Sequence, residues 1–142
     1  PQLRQAARNA VQSGKITLTS AYSEDLSLLI NWMVRLEVSK MLLMMDVGRS
    51  VLVIAMDLPA YQTLLSMRVP CFYVGDPTVP KQDREAVELR AQWELAMEGM
   101  DVIWSDLSTV WMWDVGQTWL RVAHARVDVV SPACGKRQIC LG

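Results

Sequence analysis

Histidine and cysteine are scarce in this 142-residue chain, which contains one His and three Cys. Cys71, Cys134 and Cys140 are too few and too widely spaced for a disulfide scaffold or a four-ligand zinc site. No acidic pattern accompanies His124, so the sequence gives no sign of a catalytic histidine. These shortages argue against a Cys/His metal cluster and leave the disulfide state of the three cysteines open.

A basic excess and a long apolar run are also missing. The formal net charge of -1 argues against a nucleic-acid binder, because such proteins usually carry a basic face toward the phosphates. No apolar run reaches the roughly 18 residues that a bilayer-spanning helix needs. The charged residues that interrupt the richest region are Arg35, Lys40, Asp46 and Arg49. No signal segment with a charged and then an apolar part opens the chain.

Three kinds of catalytic or nucleotide-binding motif are absent. The sequence has no Gly-x4-Gly-Lys phosphate loop and no Gly-x-Gly-x-x-Gly after a predicted strand. Ser20 and Ser131 lack the Gly-x-Ser-x-Gly elbow of hydrolases. What remains is a chain with 51% hydrophobic and 20% charged residues, which predicts one globular domain over residues 1–142.

The hydrophobic pattern alternates between strand and helix signals along most of the chain. Strands are predicted at 15–20, 50–56, 70–74 and 101–105, and helices at 3–12, 23–39, from about Asp57 onward, and at 81–99. Ser23 is the predicted N-cap of the second helix, Pro59 lies in the first turn of the third, and Gly99 stops the fourth. The segment 75–80, which is rich in Gly and Pro, is predicted to be a loop.

The spacing and type of the apolar residues indicate the fold class. Apolar residues recur at helical spacing in the second helix (Leu26, Leu29 or Ile30, Met33 and Leu36) and in the fourth (Ala86, Leu89, Trp93, Ala96 and Met97). The continuous run "SVLVIAM" (50–56) is typical of a strand buried on both faces of a parallel sheet. We therefore predict an α/β fold with a Rossmann-like, mostly parallel open sheet and helices on both faces.

Asp106 follows the fourth predicted strand, in "GMDVIWSDLSTVWMWD" (99–114). Open parallel sheets bind ligands at the carboxyl ends of their strands, and carboxylate oxygens there suit Mg²⁺ or Mn²⁺ bridging a diphosphate. Ser108 occupies the position where a second acid would strengthen such a site. The alternative is that Asp106 is a turn residue, which is the commoner use of Asp after a strand.

The stretch "EGMDVIWSDLSTVWMWD" (98–114) resembles a motif of the nucleotide-diphospho-sugar transferase domain family, which includes plant and algal arabinosyl- and xylosyltransferases. The matching residues are Gly99, Asp101, Val102, Asp106, Val110, Trp111 and Asp114. The stretch "ITLTSAYSEDLSLLINWMVRL" (16–36) is similar to the family's opening strand and following helix, with Asn31 and Trp32 at its centre. The stretch "VLVIAMDLPAYQTLLSMRVPCFYV" (51–74) looks like its next strand, the Asp after it, and the helix and strand that follow. Since "VDVVSP" (127–132) and "GKRQICLG" (135–142) resemble two later strands, the resemblance spans residues 15–142.

The resemblance implies a GT-A fold and an enzyme that transfers a sugar from a nucleotide diphosphate, expected to be UDP, to a glycan or glycoprotein acceptor. It implies that the nucleotide pocket is bordered by Thr19, Ser20, Ala21, Tyr22 and Asp57, that Arg90 contacts a phosphate, and that Asp106 faces the metal and the diphosphate. The implied cofactor is Mn²⁺ or Mg²⁺. The implied location is the Golgi lumen, where such enzymes build cell-wall glycans.

Two departures from the family change this expectation. Ser108 stands where the family carries its second Asp, so the metal is expected to bind weakly or not at all. The family's domain is also considerably longer, so we expect the chain to be its N-terminal, donor-binding part, with an open sheet edge that a protein partner would cover. A catalytically inactive domain serving as a structural subunit is the first alternative. A flavodoxin-like or receiver-like module is a weaker one, because Glu24 and Asp25 fall inside a predicted helix.

Overall fold

The computed structural model describes residues 2–10, 14–43, 50–74, 83–108, 133–134 and 138–139. The helices are α1 (Gln2–Ala10), α2 (Leu26–Leu43), α3 (Leu58–Ser66) and α4 (Arg84–Met97), and the strands are β1 (Lys15–Ala21), β2 (Val51–Ala55), β3 (Cys71–Tyr73), β4 (Asp101–Trp104), β5 (Ala133–Cys134) and β6 (Gln138–Ile139). A 3-10 turn at Ser23–Asp25 precedes α2. The predicted alternation of strand and helix up to β4 is confirmed, while the predicted loop 75–80 lies outside the described residues.

Four strands form a parallel sheet in the order β3-β2-β1-β4, and β5 and β6 form a separate antiparallel pair. In the parallel sheet β1 is central, with Ala21 opposite Ala55 of β2 and Leu18 opposite Trp104 of β4. The chain adds β2 and β3 on one side of β1 and then returns to place β4 on the other side. The direction in which the sheet grows therefore reverses at β1.

Helices cover both faces of this sheet. On one face α2 and α3 pack on the strands; that core includes Leu29, Trp32, Leu36, Val53, Ala60 and Leu64. On the other face α1 and α4 pack on the strands; that core includes Leu3, Ala7, Ile16, Leu18, Leu52, Ile54, Ala91 and Leu95. Burial from both sides explains why β1 and β2 read as continuous apolar runs. The prediction of an α/β chain with a parallel sheet and helices on both faces is confirmed.

The start of α2 differs from the prediction. Ser23 does not cap α2, because Ser23 opens the 3-10 turn and α2 begins at Leu26. Of the two candidates for the buried position, Leu29 is buried and Ile30 is exposed. None of the helices in the described part of the chain is both long enough and apolar enough to cross a bilayer.

The helices α3 and α4 end with a residue in the left-handed conformation. After α4 this residue is Gly99, at φ +78°, whose N–H donates to the Ala96 carbonyl at 2.9 Å. After α3 it is Arg68, at φ +57°, whose N–H donates to the Leu65 carbonyl at 3.0 Å. Glycine adopts this conformation without a clash between Cβ and the backbone, whereas arginine does not. The predicted stop at Gly99 is confirmed, and the end of α3 carries backbone strain.

Candidate functional site

The carboxyl ends of β1, β2 and β4 meet at one edge of the sheet. Ser20–Tyr22 end and follow β1, Asp57 follows β2, and Asp106 follows β4. The end of β4 is held beside β1, because the N–H of Ser105 donates to the carbonyl of Leu18 at 3.0 Å. This region, called the carboxyl edge below, includes the point where the strand order reverses. Open parallel sheets bind ligands at such a point.

Arg84, the first residue of α4, organises the end of β1. Its Nε donates to Ser20 Oγ at 3.0 Å and to Glu88 Oε1 at 2.9 Å, and its Nη2 donates to the Ser20 carbonyl at 3.0 Å. The Ser20 hydroxyl in turn donates to Glu88. Because Ser20 is fully buried and its hydroxyl is bonded on both sides, its side chain acts as a structural tie between β1 and α4.

Arg84 also fixes the turn after β1. Its Nη1 donates to Asp25 Oδ2 at 3.1 Å, and the same oxygen accepts the N–H of Tyr22 at 3.1 Å. The guanidinium lies over the Tyr22 ring, 5.7 Å from its centroid. Burial acts to lower the pKa of Arg84, but its bond to Glu88 and the charges of Asp25 and Glu88 outweigh burial and raise the pKa. A permanently charged arginine therefore holds residues 20–25 in one conformation.

Asp57 joins the starts of two helical segments. Its Oδ1 accepts the N–H of Ala60 at 2.8 Å and so caps α3, while its Oδ2 accepts the N–H of Ser23 at 3.0 Å and the Ser23 hydroxyl at 2.8 Å. Burial acts to raise the pKa of Asp57, but these three donors outweigh it and the pKa lies below its ordinary value. The position of Asp57 beside the predicted pocket thus has a structural explanation of its own.

Asp106 is exposed in the turn after β4. Its Oδ1 accepts both the N–H and the hydroxyl of Ser108, each at 2.7 Å. These two bonds lower the pKa of Asp106; burial opposes them, and the charge of Arg84 adds to the lowering. Asp106 is therefore a turn residue through Oδ1. Within the described ranges no donor binds its Oδ2, so that oxygen can bind a ligand.

Thr19 lies beneath the carboxyl edge. It pairs with Val53 of β2, which belongs to the core under α2 and α3, so its side chain points toward that core. The Thr19 side chain is only 1% exposed, and its hydroxyl has no hydrogen-bond partner among the residues that the structure describes. Nearby in the same layer, Ser105 Oγ accepts the indole N–H of Trp32 at 3.1 Å. Like Thr19, the other predicted pocket residues Ser20, Ala21 and Tyr22 are buried, so the structure brings them to the edge without exposing their side chains.

The arginine at the carboxyl edge is Arg84, and the sequence did not single it out. Arg90, the predicted phosphate contact, lies almost two turns further along α4. Its side chain is 79% exposed and donates to Glu94 at 2.9 Å. Arg84 directly follows Asp83, the residue that caps α4. In parallel α/β sheets the helix that precedes a strand begins at the carboxyl edge, so a residue in the first turn of α4 lies at that edge. This position was the signal in the sequence that could have pointed to Arg84.

Negative charge exceeds positive charge at this edge. Arg84 is paired with Asp25 and Glu88, and no described cation forms an ion pair with Asp57 or Asp106. Across the described residues no group of three or more His, Cys, Asp or Glu could hold a metal ion. A cation could use Asp106 Oδ2, but its other ligands would have to come from a bound anion and water, as is common for Mg²⁺. The described residues alone therefore do not form a complete cation site at this edge.

Other residues considered in the sequence add nothing to this edge. Cys71 in β3 is a free thiol, and burial raises its pKa. His124, Ser131 and Cys140 lie outside the described residues, as do Val110, Trp111 and Asp114 of the transferase-like motif and the segment 127–132.

Comparisons with protein-family models, with curated proteins and with solved structures found no match to this chain. The resemblance to the transferase family therefore has no support beyond the residues that match its motifs.

Proposed function

We propose that the chain is the donor-binding part of a nucleotide-sugar-dependent glycosyltransferase, which transfers a sugar from a UDP-linked donor to a glycan or glycoprotein acceptor in the Golgi lumen. The observation that carries the proposal is the position of Asp106, just past the end of β4 and beside β1, where the strand order reverses. Nucleotides bind parallel α/β sheets at this place. The order β3-β2-β1-β4 is also that of the first four strands of a Rossmann sheet, which supports a GT-A-like fold.

The charge of the carboxyl edge supports a diphosphate that binds together with Mn²⁺ or Mg²⁺. Among the described residues, a bare diphosphate would face Asp57 and Asp106 with Arg84 as the attracting charge, and Arg84 is already paired with two carboxylates. Asp106 Oδ2 would hold the cation, and Ser108 would keep the carboxylate oriented through its bonds to Oδ1. The bound cation would stabilise the negative charge of the leaving diphosphate.

A non-catalytic domain that serves as a structural subunit is the second candidate function. It is favoured by the way the polar groups of the edge bond to one another. Asp57 is occupied by Ser23 and Ala60, and Ser108 is occupied by Asp106. An edge satisfied in this way is stable without a ligand.

Thermal unfolding of the chain with and without UDP, each with and without Mn²⁺, tests the proposal. UDP at about 100 times its Kd should stabilise the chain by roughly 2.7 kcal/mol and raise the midpoint by several degrees. We expect the shift with UDP to grow with Mn²⁺, and Asp106→Asn to abolish that growth. The matched control is Asp101→Asn, which removes an exposed carboxylate from the opposite end of β4 and should leave the response unchanged.

The absence of any shift with UDP, in a chain that unfolds cooperatively, would contradict donor binding. In that case Ser108→Asp would test the second candidate. A gain of Mn²⁺ affinity in this variant would show that the edge still has the shape of a metal site that has lost one ligand. That result would favour the non-catalytic domain.

A further inference from the structure

Helix α4 presents apolar side chains on the side that faces away from the sheet. Leu89, Trp93 and Met97 are 60%, 64% and 68% exposed. They are four residues apart, so they form one continuous row along the helix, about 12 Å long. We call these three residues the α4 stripe. Together they form the largest group of exposed large apolar side chains on a single face of α4.

The α4 stripe belongs to neither core formed by the residues that the structure describes. The side of α4 that packs on the sheet includes Ala91 and Leu95, which are buried, Val87, which is partly buried, and the polar pair Arg84 and Glu88. A surface helix of a monomer normally carries polar residues on its outward side. A contiguous exposed apolar row that includes a tryptophan is instead typical of a protein interface.

We propose that the α4 stripe is the interface of a homodimer, in which two α4 helices pack antiparallel about a two-fold axis at Trp93. Such an axis places Leu89 of one copy opposite the partner's Met97, and Trp93 opposite the partner's Trp93. The interface is self-complementary, because every apolar residue of the stripe meets another apolar residue. Packed helices lie 8–10 Å apart, a distance that side chains of this size can fill.

The charged residues beside the α4 stripe favour a second copy of this chain as the partner that covers it. Arg90 and Glu94 flank the stripe on one side, where they form an ion pair within the helix at 2.9 Å. In the antiparallel dimer the same flank of both helices meets, and Arg90 lies within about 3 Å, along the helix axis, of the partner's Glu94. Opposite charges therefore meet twice across the interface. The other flank carries Glu85, Gln92 and Ala96, and Glu85 lies about 12 Å along the helix from the axis at Trp93, so the two copies of Glu85 are far apart.

The oligomeric state of the 142-residue chain, measured by sedimentation equilibrium without any nucleotide, tests the proposal. We expect a dimer, and we expect Trp93→Glu to convert it into a folded monomer, because the substitution buries a charge in the interface. Leu65→Glu is the matched control, since Leu65 is also an exposed apolar helix residue, in α3 on the opposite face of the sheet. It should leave the dimer intact.

A mixing experiment tests the antiparallel arrangement. Arg90→Glu leaves two acids on the flank, and Glu94→Arg leaves two bases, so each variant alone should self-associate at least about tenfold more weakly. An equimolar mixture of the two variants should form a heterodimer, because each acid then meets a base of the partner. Repair of the ion pair within one helix cannot explain this result, since neither variant has an opposite charge on its own flank.

A chain that stays monomeric at every concentration tested would overturn the proposal. So would a dimer that survives Trp93→Glu, or a mixture of the two charge variants that associates no more tightly than either alone. Because none of these measurements involves UDP or Mn²⁺, failure of the dimer and failure of donor binding can be told apart.

Discussion

Removal of the Asp57 carboxylate should destabilise the fold more than the loss of an ordinary helix cap. Asp57→Ala removes the cap on Ala60 N–H, which is typically worth about 1 kcal/mol. It also removes two bonds from Ser23, at 3.0 and 2.8 Å, each worth about 0.5–1.5 kcal/mol in net terms. We therefore expect a total loss of about 2–4 kcal/mol. In a domain of this size the midpoint of thermal unfolding should fall by about 6–14 °C.

The matched control for this prediction is Asp83→Ala. Asp83 caps α4 through bonds to Glu85 N–H at 3.2 Å and Ala86 N–H at 3.5 Å, and those bonds join no second segment. The loss for Asp83→Ala should be about 0.5–1 kcal/mol. Urea unfolding of both variants and of the parent chain, monitored by circular dichroism, gives the comparison. A loss for Asp57→Ala no larger than that for Asp83→Ala would refute the view that Asp57 joins two segments.

The pH dependence gives an independent check. The pKa of Asp57 is lower in the folded chain than its ordinary value of 3.8, so its contribution is complete above that value and disappears as pH falls through the folded pKa. The stability difference between the parent chain and Asp57→Ala should be constant from about pH 5 to 8 and shrink below about pH 4. The pKa of Asp106 is also lowered, so the variant should keep part of the acid sensitivity. A difference that persists undiminished at pH 2 would mean that the carboxylate charge is irrelevant.

Two further substitutions should stabilise the chain. Arg68→Gly should add about 0.5–1 kcal/mol, because Arg68 occupies the left-handed position at φ +57° and glycine avoids the Cβ clash there; no gain in urea unfolding would show that the end of α3 is unstrained. Thr19→Val should add about 1 kcal/mol, because it removes a buried hydroxyl that has no partner among the described residues while keeping the side-chain shape. A loss of stability in Thr19→Val would indicate that the hydroxyl is bonded, and a loss of the UDP response would indicate that it serves the ligand.

Element types could be predicted because the strands are short apolar runs between turn residues, and these signals are local. Leu52–Ala55 is fully buried, as its uninterrupted apolar sequence requires. Which side of each helix faces the sheet could not be predicted equally well. Leu29 and Ile30 are adjacent and both apolar, and only their contact with the strands decides that Leu29 is the buried one. Similarly, Ser23 has the composition of an N-cap, but its N–H and hydroxyl bond to Asp57, which lies 34 residues away.

The positions of Asp57 and Asp106 at the carboxyl edge could be predicted because each residue lies just past the end of a strand. Their partners could not be predicted, because hydrogen bonds between distant segments leave no periodic signal in the sequence. Arg84 is the clearest example, since it bonds to Ser20 and Asp25, which are 64 and 59 residues away. The resemblance to the transferase family indicated Arg90 as the phosphate contact. The packing of α4 on the sheet instead places Arg84 at the carboxyl edge.

The apolar pattern of α4 correctly predicted a helix but did not show which side of that helix faces the core, and the two sides of α4 explain why. The helix begins at the carboxyl edge, so Arg84 and Glu88 on its inner side contact polar groups there, while Val87, Ala91 and Leu95 pack against the core. Its strongest apolar periodicity therefore comes from the α4 stripe, which predicts a helix correctly but marks its outward side. Since the stripe points away from the sheet, a dimer formed through it would leave the carboxyl edge open. Association and donor binding are thus separable properties of one helix, and a substitution at Trp93 should change the first without changing the second.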